Sequence, residues 1–128
     1  MLDHIVINVS DLERSKTFYL AALAPLNYVL IREFEEAVSF GIAGHVKSKD
    51  PGGDFWIVKG VPQSPRIHFA FNAVSRSVVD KFYNCALAAG GKDNGSPGLR
   101  KHYHKHYYAA FIFDPDCYNI EAVCHLPG

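Results

Sequence analysis

HIVINVSDLERSKTFYLAALA, residues 4–24, and HFAFNAVSRSVVDKFYNCALA, residues 68–88, are two copies of one pattern. Slid by 64 residues without a gap, they agree at seven of 21 positions. His4 meets His68, Asn8 meets Asn72, Phe18-Tyr19 meet Phe82-Tyr83, and Ala22-Leu23-Ala24 meet Ala86-Leu87-Ala88. An internal repeat is the first feature to establish, because it dictates how often one supersecondary unit is built.

Each copy opens with a short run, DHIVINV or RIHFAFNA, that mixes apolar and polar residues as a half-buried strand does. A helix follows. Ser10-Asp11-Leu12-Glu13 matches a capping box, and Leu12, Ser15, Phe18, Tyr19, Ala22 and Leu23 keep helical spacing. In the second copy Ser75 or Ser77 can cap, ahead of a stripe of Val78, Val79, Phe82, Tyr83 and Ala86. Ala24-Pro25 and Gly90-Gly91 stop the two helices. Extended runs at 28–32, 37–40 and 54–59 complete the first unit, and runs near 91–92, at 107–113 and at 118–124 complete the second. Asp114-Pro115-Asp116 is a turn, because Pro presets φ and Asp bonds back to the backbone. The reading is α+β: two βαβββ modules, about 1–62 and 66–128, jointed at Pro62–Pro65, forming a cupped mixed sheet with helices outside.

Composition narrows the function. Thirteen basic and thirteen acidic residues cancel, so no charge footprint for nucleic acid or an anionic membrane is present. Apolar runs are broken well short of a spanning helix, and Asp3 and His4 interrupt any signal-like start; the expected location is the cytoplasm. Cys85, Cys117 and Cys124 are odd in number and form no CxxC, so neither a disulfide framework nor a zinc ribbon is expected. Cys85 and Cys124 read as buried, inert thiols.

The 64-residue offset also sets Glu121 of the last strand against Ile57. Equivalent strand pairs would then converge His4, Ile57, His68 and Glu121. Three of these can ligate a divalent cation, and the apolar fourth leaves one quarter to solvent or substrate. Two imidazoles and one carboxylate with open positions suit Fe(II), and also Zn, Mn, Ni or Co. The competing reading for each His is a hydrogen-bonded surface residue, and for Glu121 an exposed strand carboxylate.

A second cluster lies in GLRKHYHKHYY, 98–108. Alternate spacing would place His102, His104 and His106 on one strand face. The preceding Gly95, Pro97 and Gly98 and the interleaved Arg100, Lys101 and Lys105 favour a loop leading into a strand. A solvated loop, a substrate-binding rim and a second metal site are the three readings. Arg100 is the candidate anchor for an anionic substrate, and His102, Tyr103 or His104 the candidate acid or base. Trp56 and Phe55 are assigned to core packing, while His45 and His125 carry no argument.

With these residues in view, the chain resembles the vicinal oxygen chelate superfamily of glyoxalase I, extradiol dioxygenases and bleomycin-resistance proteins. LDHIVINVSDLERSKTFY is similar to its first strand and helix, RIHFAF to the strand with the second histidine, and FDPDCYNIEAV to its closing turn and glutamate strand. The stretch from Ala86 to Asp116 is similar to a glyoxalase-like subgroup. The resemblance implies paired modules around a divalent metal, chelated by a small substrate through two oxygens, with His4, His68 and Glu121 as ligands. It also implies a homodimer, in which ligands come from one chain or from two. Ile57 stands where glyoxalase I supplies a fourth ligand, so the pattern is closer to the dioxygenase branch. Cys117 replaces the expected turn glycine. A metal-dependent lyase, isomerase or dioxygenase is the leading expectation; a non-catalytic protein that sequesters a small molecule, as in drug resistance, is the alternative.

Overall fold

The computed structural model describes residues 1–44 and 52–128; His45 lies outside them. Among the described residues, eight strands and two helices follow the order expected of a doubled unit. They are β1 (Ile5–Val9), α1 (Leu12–Leu23), β2 (Tyr28–Glu33), β3 (Ala37–Ile42) and β4 (Phe55–Lys59), then β5 (His68–Asn72), α2 (Arg76–Ala88), β6 (Lys92–Leu99), β7 (Tyr108–Phe113) and β8 (Asn119–Cys124). A single 3₁₀ turn, Ala24–Leu26, ends the first helix at Pro25.

The helix starts are set by short polar side chains. Asp11, not Ser10, caps α1 by accepting from the Arg14 N–H at 3.1 Å, and Ser75 caps α2 by accepting from Val78 N–H at 3.2 Å. Ser10 is diverted from the expected capping box because its backbone N–H and hydroxyl both donate to Asp116 of the other module.

Each module folds into its own four-stranded mixed sheet, ordered β1-β4-β3-β2 and β5-β8-β7-β6. The first strand of each pairs in parallel with the last, and the other pairs are antiparallel. β1 and β5 are therefore both sheet edges among the described residues. Period-two alternation turns Ile5, Ile7 and Val9 of β1, with Phe55 and Ile57 of β4, toward the helices. Phe69, Phe71, Ile120 and Ala122 do the same in the second sheet.

One core joins the modules. Tyr19 is fully buried, edge-on to Phe18 (centroids 4.9 Å) and to Phe55 (4.9 Å); such pairs add about 0.5–1.5 kcal/mol beyond their buried area. Phe55 continues the packing to Phe69 at 5.4 Å and Phe71 at 5.6 Å in β5. The Asp114–Asp116 turn locks the arrangement. Asp114 accepts the N–H groups of Asp116 and Tyr118 at 2.9 Å each, and it also accepts the Tyr19 hydroxyl proton. Tyr118 donates to the Asn8 carbonyl at 2.6 Å. Burial holds the Tyr19 phenol well above its usual range, with the neighbouring Asp114 charge adding to the effect. Cys117, in the glycine position of this turn, has φ of 70°, the left-handed conformation the replaced glycine would take freely. Cys124 is buried, Cys85 only partly so, and Cys117 exposed.

Because the cores of both sheets face the shared interior, their opposite faces turn outward. His68 and Glu121 stand on one of those outward faces.

Candidate metal-binding faces

On the second sheet the alternation brings His68 and Glu121 out together. β5 and β8 pair with Ala70 opposite Glu121, and β7 places Phe111 opposite Glu121 on the other side. His68 Nε2 lies 2.9 Å from Glu121 Oε1. The imidazole is half exposed, while the carboxylate side chain is only 2% exposed.

The other nitrogen decides how His68 is used. Its Nδ1 lies 2.8 Å from the Asn119 carbonyl, which can only accept, so Nδ1 carries a proton. In the neutral ring, Nε2 then presents a lone pair toward the carboxylate. At 2.9 Å the nitrogen and the carboxylate oxygen are close enough to hold one cation between them. Fixing one imidazole nitrogen on a backbone carbonyl is how a metal-ligating histidine is usually oriented.

Glu121 has a second partner. Tyr107, just before β7, donates its hydroxyl proton to Oε2. Burial raises the Tyr107 phenol far above its ordinary value, and the hydrogen bond to Glu121 reinforces the shift. Around Tyr107 gather the rings of Tyr103 (4.8 Å), His125 (5.3 Å) and His104 (5.5 Å). His104 Nδ1 accepts the His106 N–H at 3.1 Å, leaving its Nε2–H to donate to His125 Nδ1 at 2.8 Å. The His102 ring lies 4.2 Å from that of Tyr103, tilted by 44°, and extends this cluster. Residues 100–107 are thus a turn leading into β7, as the glycines and charges indicated, and they reach the carboxylate through Tyr107.

Arg100 sits on the same face. Its guanidinium lies 5.3 Å from the Phe111 ring centroid, and that ring is 6.0 Å from His68. Nη1 and Nη2 donate to the carbonyls of Gly98 and Ser96, both at 2.8 Å. The Arg100 guanidinium lies beside the site, but two of its donors already hold the β6 strand end.

His4 lies beside the other sheet. It precedes β1, is exposed, and lines a shallow pocket with Val6, Trp56 and Val58. Its Nδ1 is 2.7 Å from Asp3 Oδ1, so Nε2 is again the nitrogen with the lone pair in the neutral ring. The chain unites two of the three expected ligands. Among the described residues no group of three His, Cys, Asp or Glu side chains is placed to hold one metal ion.

The fourth position is corrected. Ile57 pairs with Ile7 and is fully buried in the core, so it faces away from His4. Trp56 is the outward residue, paired with Val6 as Glu121 is paired with Ala70. Trp56 therefore leaves the core to which the sequence reading assigned it, while Phe55 is core, as expected. The chemistry of the donors fits a divalent cation, with one imidazole on one sheet and an imidazole–carboxylate pair on the other.

The family model described as Glyoxalase/Bleomycin resistance protein/Dioxygenase superfamily matches residues 1–122. A glyoxalase/bleomycin resistance protein from Albidiferax ferrireducens superposes with a TM-score of 0.76 at 27% identity, covering 98% of each chain. A fosfomycin resistance protein from Listeria monocytogenes, solved as a mutant complex with Mn(II) and dihydroxypropylphosphonic acid, superposes with a TM-score of 0.69 at 21% identity, covering 96% of this chain and 88% of that one. Lactoylglutathione lyase from Agrobacterium tumefaciens gives 0.69 at 14% identity, covering 97% and 92%. No match is found among curated proteins. No helix among the described residues is long and apolar enough to cross a membrane.

Proposed function

Since the chain belongs to the glyoxalase/bleomycin resistance protein/dioxygenase superfamily, we propose that it is a metal-dependent enzyme acting on a small substrate with two neighbouring oxygens, through a site shared by two copies of the chain. His68 and Glu121 of one copy and His4 of the other would hold the metal. Bound there, a divalent metal supplies a Lewis acid that polarises a substrate oxygen and stabilises negative charge developing on it.

The observation that carries the reading is the His68–Glu121 pair, a ligand-ready nitrogen and a carboxylate oxygen aimed at each other at 2.9 Å. The sharing between copies is supported by the outward placement of His4 beside a separate sheet, and by the edges β1 and β5, each unpaired on one side among the described residues, next to which His4 and His68 stand. A homodimer with two-fold symmetry would form two equivalent sites from such halves. The chain's own groups supply the rest. Tyr107 fixes the carboxylate through Oε2, the Asn119 carbonyl fixes the imidazole, and Arg100 adds positive charge for an anionic substrate. His102, Tyr103 and His104 border the site through Tyr107 and remain the candidates for moving a proton to or from substrate.

Metal analysis of protein purified without chelators tests the proposal. About one metal per chain is expected, lost in His68→Ala and Glu121→Gln, with activity lost and restored in step with chelation and readdition. Sub-stoichiometric metal unchanged by His68→Ala would remove the metal from the account. A second reading, a binding protein without turnover, is favoured by the fact that both Glu121 oxygens already have partners. It expects ligand binding indifferent to chelation.

A further inference from the structure

Trp56 occupies the station where the other module carries its carboxylate ligand, and an indole cannot ligate a metal through oxygen. What it offers instead is a flat π surface. Phe34, in the β2–β3 turn, backs one side of that surface, with ring centroids 6.2 Å apart and planes within 7° of parallel. Phe34 is itself 58% exposed, so it is not part of the core. Trp56 stands on the outward side of the sheet, in the same pocket as His4. Grouped in this way, the Trp56 and Phe34 rings form an apolar surface that a ligand can cover.

The pocket next to the indole has the right scale and lining. It is open to solvent and offers about 240 Å³, bounded by Trp56, His4, Val6 and Val58. An apolar cavity of about 150 Å³ accommodates benzene, so one six-membered ring fits with room for a substituent. Val6 and Val58 offer no polar partner to a ring lying on the indole, whereas His4 provides one at the edge. The pocket therefore has an aromatic wall, an aliphatic floor and a single imidazole.

We infer that this pocket reads a flat ring: the substrate carries a monocyclic aromatic group that stacks on Trp56, with its oxygen-bearing end toward His4. The inference rests on the shared site proposed above, and it adds the substrate's ring class. A puckered aliphatic ring of the same size buries similar area yet forfeits face-to-face contact, which is worth a factor of about two to ten in affinity.

The chain has a single tryptophan, so one indole N–H signal in a nitrogen-15 NMR spectrum reports on the pocket directly. Metal-free protein is titrated with benzyl alcohol and, separately, with cyclohexylmethanol. A saturable shift of the indole signal by benzyl alcohol is expected, with affinity about two- to tenfold above that for the cyclohexyl analogue. Phe34→Ala should narrow that preference while leaving metal content unchanged. Trp56→Phe, followed by the Val6 and Val58 signals, should keep the preference, and Trp56→Leu should abolish it. Equal affinity for the two alcohols overturns the inference, as does an indole signal that moves with neither. Because these titrations are done without metal, a protein that reads flat rings but takes up no metal would fail the proposed function alone. The reverse result would fail only the ring assignment.

Discussion

Trp56 and Glu121 hold equivalent positions in the two halves of the chain: Trp56 pairs with Val6 across β4 and β1, and Glu121 pairs with Ala70 across β8 and β5. Strand to strand, the offset between these two residues is 65, one more than the 64 that relates His4 to His68. The repeat therefore builds two similar faces and furnishes them differently, one with an indole and one with a carboxylate.

Replacing Trp56 by Glu should restore a carboxylate beside His4. If the positions are equivalent, Trp56→Glu increases Mn(II) affinity by about tenfold or more, an added charged ligand being the main lever on such sites. Calorimetric titration of metal-free protein measures it. Unchanged or weaker affinity in a folded variant would mean that position 56 does not face the metal.

Tyr107 holds Glu121 from the oxygen that His68 does not use. Tyr107→Phe should lower metal affinity by about ten- to hundredfold, the usual cost of losing a residue that orients a ligand. His68→Ala should abolish binding. In the converse experiment, Glu121→Gln should bring the Tyr107 phenol part of the way back toward its ordinary value. Burial, the larger cause of its shift, would remain. Absorbance of the phenolate during alkaline titration follows it.

Alkali should destabilise the fold in a defined window. Burial raises the phenols of Tyr19 and Tyr28 in the folded chain, with Asp114 and Asp54 adding to the shifts. In the unfolded chain the same groups ionise near their ordinary value of about 10. Above that pH the unfolded chain has lost protons that the folded chain retains, so stability falls as pH rises. Below it these groups make no pH-dependent contribution. Urea midpoints should be level between about pH 8 and 9.5 and decline above about 10. Tyr28→Phe should make the decline shallower.

Cys117 is held at φ of 70° in the turn between β7 and β8. Cys117→Gly removes a side chain from a conformation that costs an L-residue about 1–2 kcal/mol, while increasing the freedom of the unfolded chain. A net gain of about 0.5–1 kcal/mol is expected in denaturant unfolding. The exposure of Cys117 means that no packing is lost to offset it.

Much of this was legible in the sequence, and the rest was hidden for a physical reason. The ungapped slide aligned the β1–α1 and β5–α2 segments, because no connection of variable length intervenes. Beyond the helices the connections differ in opposite directions. Residues 34–36 join β2 to β3 while 100–107 join β6 to β7, and 43–54 join β3 to β4 while 114–118 join β7 to β8. The differences nearly cancel, so the slide stayed plausible while being one residue out at β4. In a strand a one-residue slip exchanges the faces, which is why Ile57 was read as a site residue and Trp56 as core. The pairing of His68 with Glu121 survived, since both lie in the half where no such transfer was needed. The partners of that pair were not legible: the Asn119 carbonyl is a backbone atom, Tyr107 was one of several tyrosines, and His125 meets His104 only through the fold.

The central claim, one metal site built from His4 of one chain and His68 with Glu121 of another, is tested most directly by mixing two inactive variants. His4→Ala and His68→Ala are each expected to bind no metal tightly. Unfolded and refolded together in equal amounts, they should form half of their dimers as mixed pairs, each with one intact site. Metal content and activity should then return to about a quarter of the wild-type value. Recovery of that size, absent from either variant alone, is the predicted result. A folded, mixed dimer population with no recovery would contradict the shared site.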